Sequence, residues 1–400
     1  MENLIPYIKL IILALACLVT GVCTLSRKWY VNLPVFLICI AGETFMAYLF
    51  FPAYALWPAC GSVAIFAFST AWEHLKPSGR KENKSPIRLP VISGVPYRHL
   101  EFYYYYSNFL VYGGAGSGKT KSIGKWLLEE YIRLGFAGFI YDFKDVDYTQ
   151  TAYNLTKKYG YPHKFYYVSF DKPERSYRFN PLKVVKDRTE LMQLMEDVLL
   201  ALLPKGEKQN EWVAGGLGIL RGVAFRFWDE FPEYCTLPHI MAFIMTASTR
   251  QLSIFLQQNL VAEMMAGAYL KAEGSEKTQA SYLSTLCNNL STISQNEEIA
   301  YILSGDDFDF NLIDPEDPKL FAISNNFSKN SVYAPVIGML MSISTRQFTM
   351  QNKVPFVYFL DEMTTVNIKN FETLPSVLRE YKVGFVMLTP VSYTHLTLPT

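Results

Sequence analysis

Apolar positions change rhythm along this 400-residue chain. From 1 to 75 they are almost continuous. From 108 to 187, and again from 316 to 390, short apolar runs alternate with segments of helical spacing, while 188–315 keeps helical spacing throughout. At about 1.5 Å rise per residue, the run 4–25 is long enough to cross a bilayer core of about 30 Å. The stretch 33–72 is too long for one crossing and is broken over 51–58, where Pro52, Tyr54, Trp57 and Pro58 suit an interfacial turn. The pattern predicts a transmembrane module over 1–75 with three helices, a two-helix hairpin being the competing count. Three crossings put Arg27 and Lys28 on the same cytoplasmic side as Lys76, Arg80, Lys81, Lys84 and Arg88. Glu43 falls inside the second span, either facing a neighbouring helix or neutral near the interface.

The alternating regions predict an α/β fold with a doubly wound parallel sheet. Buried strands are expected at 108–112, 137–142, 164–170, 319–324, 354–360 and 383–389, with helices at 122–134, 332–351 and 374–381. Helical spacing at 191–203, 211–231, 237–247, 251–269 and 279–294 predicts an all-α insertion over 188–315. It divides the sheet domain into 108–187 and 316–390. Residues 76–107 read as a basic juxtamembrane linker, first a contact to anionic lipid and only second to nucleic acid. The net charge of +1 gives no global attraction for a polyanion. Cys17, Cys23, Cys39 and Cys60 lie in apolar runs, Cys235 and Cys287 are isolated, and no C-x-x-C pair occurs, so neither a zinc site nor a disulfide framework is indicated.

Two of the predicted strands end in chemistry. Gly113, Gly114, Ala115, Gly116, Ser117, Gly118, Lys119 and Thr120 make a complete G-x-x-x-x-G-K-[ST] loop between a strand and a helix. Its backbone amides, with that of Lys121 entering the helix, suit a phosphate cradle at a helix N-terminus. Lys119 is placed to reach the β- and γ-phosphates of ATP, and the Thr120 hydroxyl to bind Mg²⁺. The apolar run 354–360 ends in Asp361 and Glu362, which reads as a Walker B element: Asp361 for Mg²⁺, Glu362 to polarise the attacking water. One Mg-ATP is expected between the two, on adjacent strands. Thr389, at the end of the strand 383–389, is a candidate sensor of the nucleotide.

The order of these features resembles the type IV coupling proteins of bacterial conjugation, the TraG/TraD-like DNA transfer ATPases. The resemblance runs over 108–389 and rests on GGAGSGKT, YDFK, RFNPL, an all-α region, FLDEM and VGFVMLT, in that order. It implies a RecA-like motor in a homo-hexameric ring at the bacterial inner membrane, moving relaxase-bound single-stranded DNA to the proteins of a secretion channel. By the same resemblance Asp142 and Lys144 lie near the nucleotide, the all-α region meets DNA or relaxase, and a neighbouring subunit supplies an arginine finger, for which Arg379 is the nearest candidate. Other membrane-anchored ring translocases, FtsK-like or protein-secreting, and a nucleotide-binding scaffold without hydrolysis are the alternatives.

The segment 391–400 does not continue the fold. Its codons can be spelled as a transposase mosaic-end adapter, so it reads as a non-native tail that leaves the sheet domain incomplete, with an unpaired edge.

Overall fold

The computed structural model describes residues 29–50, 52–54, 56, 59–64, 85–91, 99–114, 116–144, 146–203, 210–368 and 371–390. The chain divides into two compact units, Met1–Lys84 and Ser85–Thr400. In the first, helix α1 (Trp29–Phe50) is followed by a short 3-10 turn, Pro52–Tyr54. Glu43 of α1 is buried and accepts a hydrogen bond of 2.7 Å from Ser62 Oγ, so its carboxylate has a partner within the chain. Among the described residues no helix is long and apolar enough to cross a membrane. Glu43 and Thr44 interrupt the apolar character of α1, and the turn at Pro52 follows it. This contradicts the multi-pass inner-membrane location expected from the sequence. The expected span 4–25 and the tail 391–400 lie outside the described residues, as does most of the basic stretch 76–98.

The second unit is built on a parallel sheet. Its strands are β3 (Phe109–Tyr112), β4 (Ala137–Asp142), β5 (Lys164–Ser169), β6 (Lys319–Ser324), β7 (Phe356–Leu360) and β8 (Val383–Thr389), in the spatial order β3-β8-β7-β4-β6-β5. Every neighbouring pair is parallel. Such a sheet needs cover on both faces, and the side-chain period of two supplies it. Ile140, Ala322, Phe359 and Leu388 point to the face covered by α2 (Lys125–Arg133) and α3 (Asp147–Tyr159). Phe139, Phe321, Tyr358 and Phe385 point to the other, where their rings form a ladder across β6, β4, β7 and β8 at 5.1, 5.9 and 4.9 Å between centroids.

That second face is covered by helices from the segment between β5 and β6. They are α4 (Arg188–Leu202), α5 (Glu211–Glu230), α6 (Leu237–Thr246), α7 (Thr249–Gln257), α8 (Leu260–Met265), α9 (Gly267–Lys271), α10 (Glu276–Ser294) and α11 (Glu297–Leu303). With α12 (Asn330–Thr345) they share one continuous core with the sheet. The expected single helix over 251–269 is three pieces, because the Asn259 side chain caps a new start by accepting from the amides of Val261 and Ala262. Within the expected linker, β1 (Ile87–Pro90) and β2 (His99–Phe102) pair as an antiparallel ribbon, and Ile87 is fully buried under α2.

Candidate functional site

β3 ends at Tyr112, and the glycine-rich loop turns directly into the first helix. Gly116 and Gly118 adopt φ of +75° and +83°, a conformation that a β-carbon disfavours, which is why the loop needs glycine there. The turn is closed by Ser117 N donating to Gly114 O at 3.2 Å, and the helix opens with Ser122 N donating to Gly118 O at 2.8 Å. The Lys119 ammonium folds back over the loop and donates to the carbonyls of Gly113 and Gly114. Thr120 and Lys121 lie in a widened π-type turn, Thr120–Gly124, that leads into α2. A β-carbon at Gly124 would collide with the Tyr148 hydroxyl of α3, so this glycine lets the two helices close on each other. Ala115 is outside the described residues.

β7 delivers the carboxylates to the same edge. Leu360 pairs with Tyr141, and Asp361 N donates to Tyr141 O at 3.0 Å, which puts Asp361 beside Asp142 at the carboxyl ends of β7 and β4. Both are buried, and each leaves one oxygen without a hydrogen-bond partner: Oδ2 of Asp361 and Oδ1 of Asp142. The other oxygen of Asp142 accepts from Thr149 N at 2.8 Å, at the start of α3. Burial pushes the Asp361 carboxyl up to about 7; Lys144 draws it down, while Asp142, Glu362 and Asp147 push it further up. Burial raises Asp142 too, against the hydrogen bonds from Thr149.

Glu362 has left-handed backbone angles, φ 48° and ψ 51°. For a residue with a β-carbon this costs on the order of 1 kcal/mol, and such strain gathers at functional sites. Its carboxylate lies 3.6 Å from Lys144 Nζ. The unpartnered carboxylate oxygens and the open loop suit a Mg-nucleotide, since Mg²⁺ takes one or two protein oxygens and completes its shell with phosphates and water. Among the described residues no group of three His, Cys, Asp or Glu side chains could hold a metal without such help.

The loop and the carboxylates, expected from the sequence on adjacent strands, lie on strands separated by one other. β8 lies between β3 and β7. Its C-terminal Thr389 pairs with Tyr112 and is buried, so it sits on the strand flanked by both halves of the site. Arg379 is exposed and precedes β8, at the end of the parallel strands opposite the loop of its own chain. β8 spans seven residues, roughly 20 Å at the usual rise per residue. Asp147, which pairs with Lys125 at 2.7 Å, and Tyr148, whose buried hydroxyl interacts with the Thr120 side chain, complete the surroundings. Neither is legible in the sequence, because both enter through α3, and its buried face of Tyr148, Thr149, Ala152, Leu155 and Thr156 gives a weak apolar signal.

The fold has known counterparts. The chain is similar to the bacterial conjugative coupling protein TrwBdeltaN70 in its unbound monoclinic form, with 17% identity and a TM-score of 0.56 over 73% of this chain and 64% of that one. It is similar also to the plasmid coupling protein TrwB in complex with ADP and Mg²⁺ (17%, TM-score 0.57, 78% and 68%) and with a non-hydrolysable ATP analogue (17%, 0.56, 78% and 69%). The chain thus spans about two thirds of the length of these solved proteins, and the likeness is one of fold. No curated protein matches it. Residues 76–389 match the family described as type IV secretory system conjugative DNA transfer, and the chain belongs to that family.

Proposed function

We propose that this chain is a coupling ATPase that uses Mg-ATP to drive relaxase-bound single-stranded DNA toward a type IV secretion channel. The observation that carries the reading is the meeting of the glycine loop and the Asp361–Glu362 pair at one edge of one parallel sheet, with only β8 between them. The amides of 114–118 would cradle phosphate, aided by the dipole of the following helix. Lys119 would exchange its loop carbonyls for the β- and γ-phosphate oxygens, a substitution favoured by charge. Thr120 and Asp361 would hold Mg²⁺, which when bound neutralises charge on the phosphates. Glu362 would orient the attacking water and take its proton. Asp142 would hold the neighbouring part of the metal's water shell. Thr389 would report the γ-phosphate to β8. Arg379 is exposed at the start of β8, at the opposite end of that strand from its own site, which fits a residue that serves a neighbouring subunit in a ring.

The test is ATP hydrolysis with and without single-stranded DNA. We expect DNA to stimulate the rate, Lys119→Ala to abolish both nucleotide binding and hydrolysis, and Glu362→Gln to lower hydrolysis about a hundredfold or more while nucleotide still binds. Unchanged hydrolysis in Lys119→Ala would exclude the site.

A further inference from the structure

Asp142, Asp361 and Glu362 follow one another at the carboxyl ends of β4 and β7, and the charge of Asp147 at the start of α3 also acts on Asp361. Their counter-charges are unequally shared. Asp147 has Lys125 at 2.7 Å, and Asp142 has the Thr149 amide. Lys119 is turned onto the carbonyls of its own loop. The cation beside Asp361 and Glu362 is therefore Lys144, two residues beyond Asp142 on β4, reaching Glu362 across the strand boundary at 3.6 Å.

We infer that Lys144 is a positioning residue that holds Glu362 in a parked pose until a divalent cation arrives at Asp361. The inference rests on the nucleotide reading above and deepens it. Three features fit a removable restraint. The pair is long, and Lys144 is half-exposed, so the contact is weak and its rupture opens nothing in the core. The left-handed backbone at Glu362 stores strain at the end of β7, where its side chain meets Lys144. A doubly charged ion beside Asp361 would repel the lysine ammonium at short range and draw Glu362 away from it. Lys144 and the metal thus compete for the same acids, and emptying or filling the site moves Glu362 between them.

The experiment measures the Mg²⁺ dependence of binding of a fluorescent ADP analogue to the full chain. Lys144→Gln, with no ammonium to displace, should reach half-saturation at roughly three- to tenfold lower Mg²⁺. Lys144→Arg should behave like the parent. In the Glu362→Gln background, Lys144→Gln should shift the Mg²⁺ dependence by a smaller factor, since part of the competition acts through the Glu362 carboxylate. A merely structural lysine would produce neither the tightening nor the rescue. Equal Mg²⁺ dependence in parent and Lys144→Gln overturns the inference and leaves the nucleotide reading standing. Failure of the parent to bind nucleotide above the Lys119→Ala blank overturns both.

Discussion

Asp361 sits in a place that resists its charge. In the unfolded chain an aspartate ionises near pH 4, whereas burial keeps folded Asp361 protonated up to about 7. Below about pH 4 both states carry the proton and its contribution is constant. Between about 4 and 7 only the folded state carries it, so the stabilisation it lends falls as pH rises and levels off above about 7. Asp361→Asn removes the ionisation. In metal-free urea unfolding across that window, the variant should lose less stability with rising pH than the parent, and parallel curves would contradict the assignment. Lys119 and Asp361 were legible because a glycine loop and an acid at the end of an apolar run carry their chemistry in the sequence itself. The Lys144–Glu362 contact was not, because it depends on β4 lying beside β7, and strand order within a parallel sheet is set by packing rather than by order along the chain.

Among the elements, the short segment RFNPL is a strap. Arg178 N donates to Asp307 Oδ2 at 2.7 Å, Phe179 N to Ile302 O at 2.8 Å, and the Arg178 guanidinium lies 4.4 Å from the Tyr301 ring. Asn180 accepts from Leu182 N and donates to Cys235 O at 2.8 Å, tying the chain after β5 to the turn before α6. Asn180 is buried, so Asn180→Ala leaves both backbone groups without partners and should cost about 2–3 kcal/mol, read by chemical denaturation. A loss below about 0.5 kcal/mol would remove the strap from the account. Long helices such as α5 and α10 follow the apolar spacing closely. Where the spacing misleads, a tertiary contact has intervened: α12 stops at Thr345 rather than running to 351, because Arg346 turns to Asp197 and Gln347 bonds Leu312 N and Phe310 O. The β1–β2 ribbon escaped notice although Ile87 and Leu89 flank Arg88 and Leu100 and Phe102 flank Glu101, because each run is only four residues long and lies in a stretch read for its charge.

At the scale of the molecule, the site lies at the carboxyl ends of the parallel strands and Arg379 at the amino end of β8. If neighbouring subunits complete each other, Arg379→Ala and Lys119→Ala fail for different reasons. Mixing the two inactive variants should restore part of the hydrolysis, because some interfaces then pair an intact loop with an intact arginine. A mixture as inactive as its components would assign Arg379 a role outside catalysis. The central place of β8 also has a bearing on how the protein is made. Among the described residues β3 pairs with β8 alone, and Asn108 at its start accepts from Phe385 N across 277 positions of sequence. At ribosomal rates of about 5–20 residues per second, the glycine loop leaves the tunnel tens of seconds before the strand that anchors it exists. On the proposed reading, nucleotide can therefore act as a folding ligand only late in synthesis, and a nascent chain halted before β8 would carry the whole phosphate-loop motif yet lack the strand that anchors it.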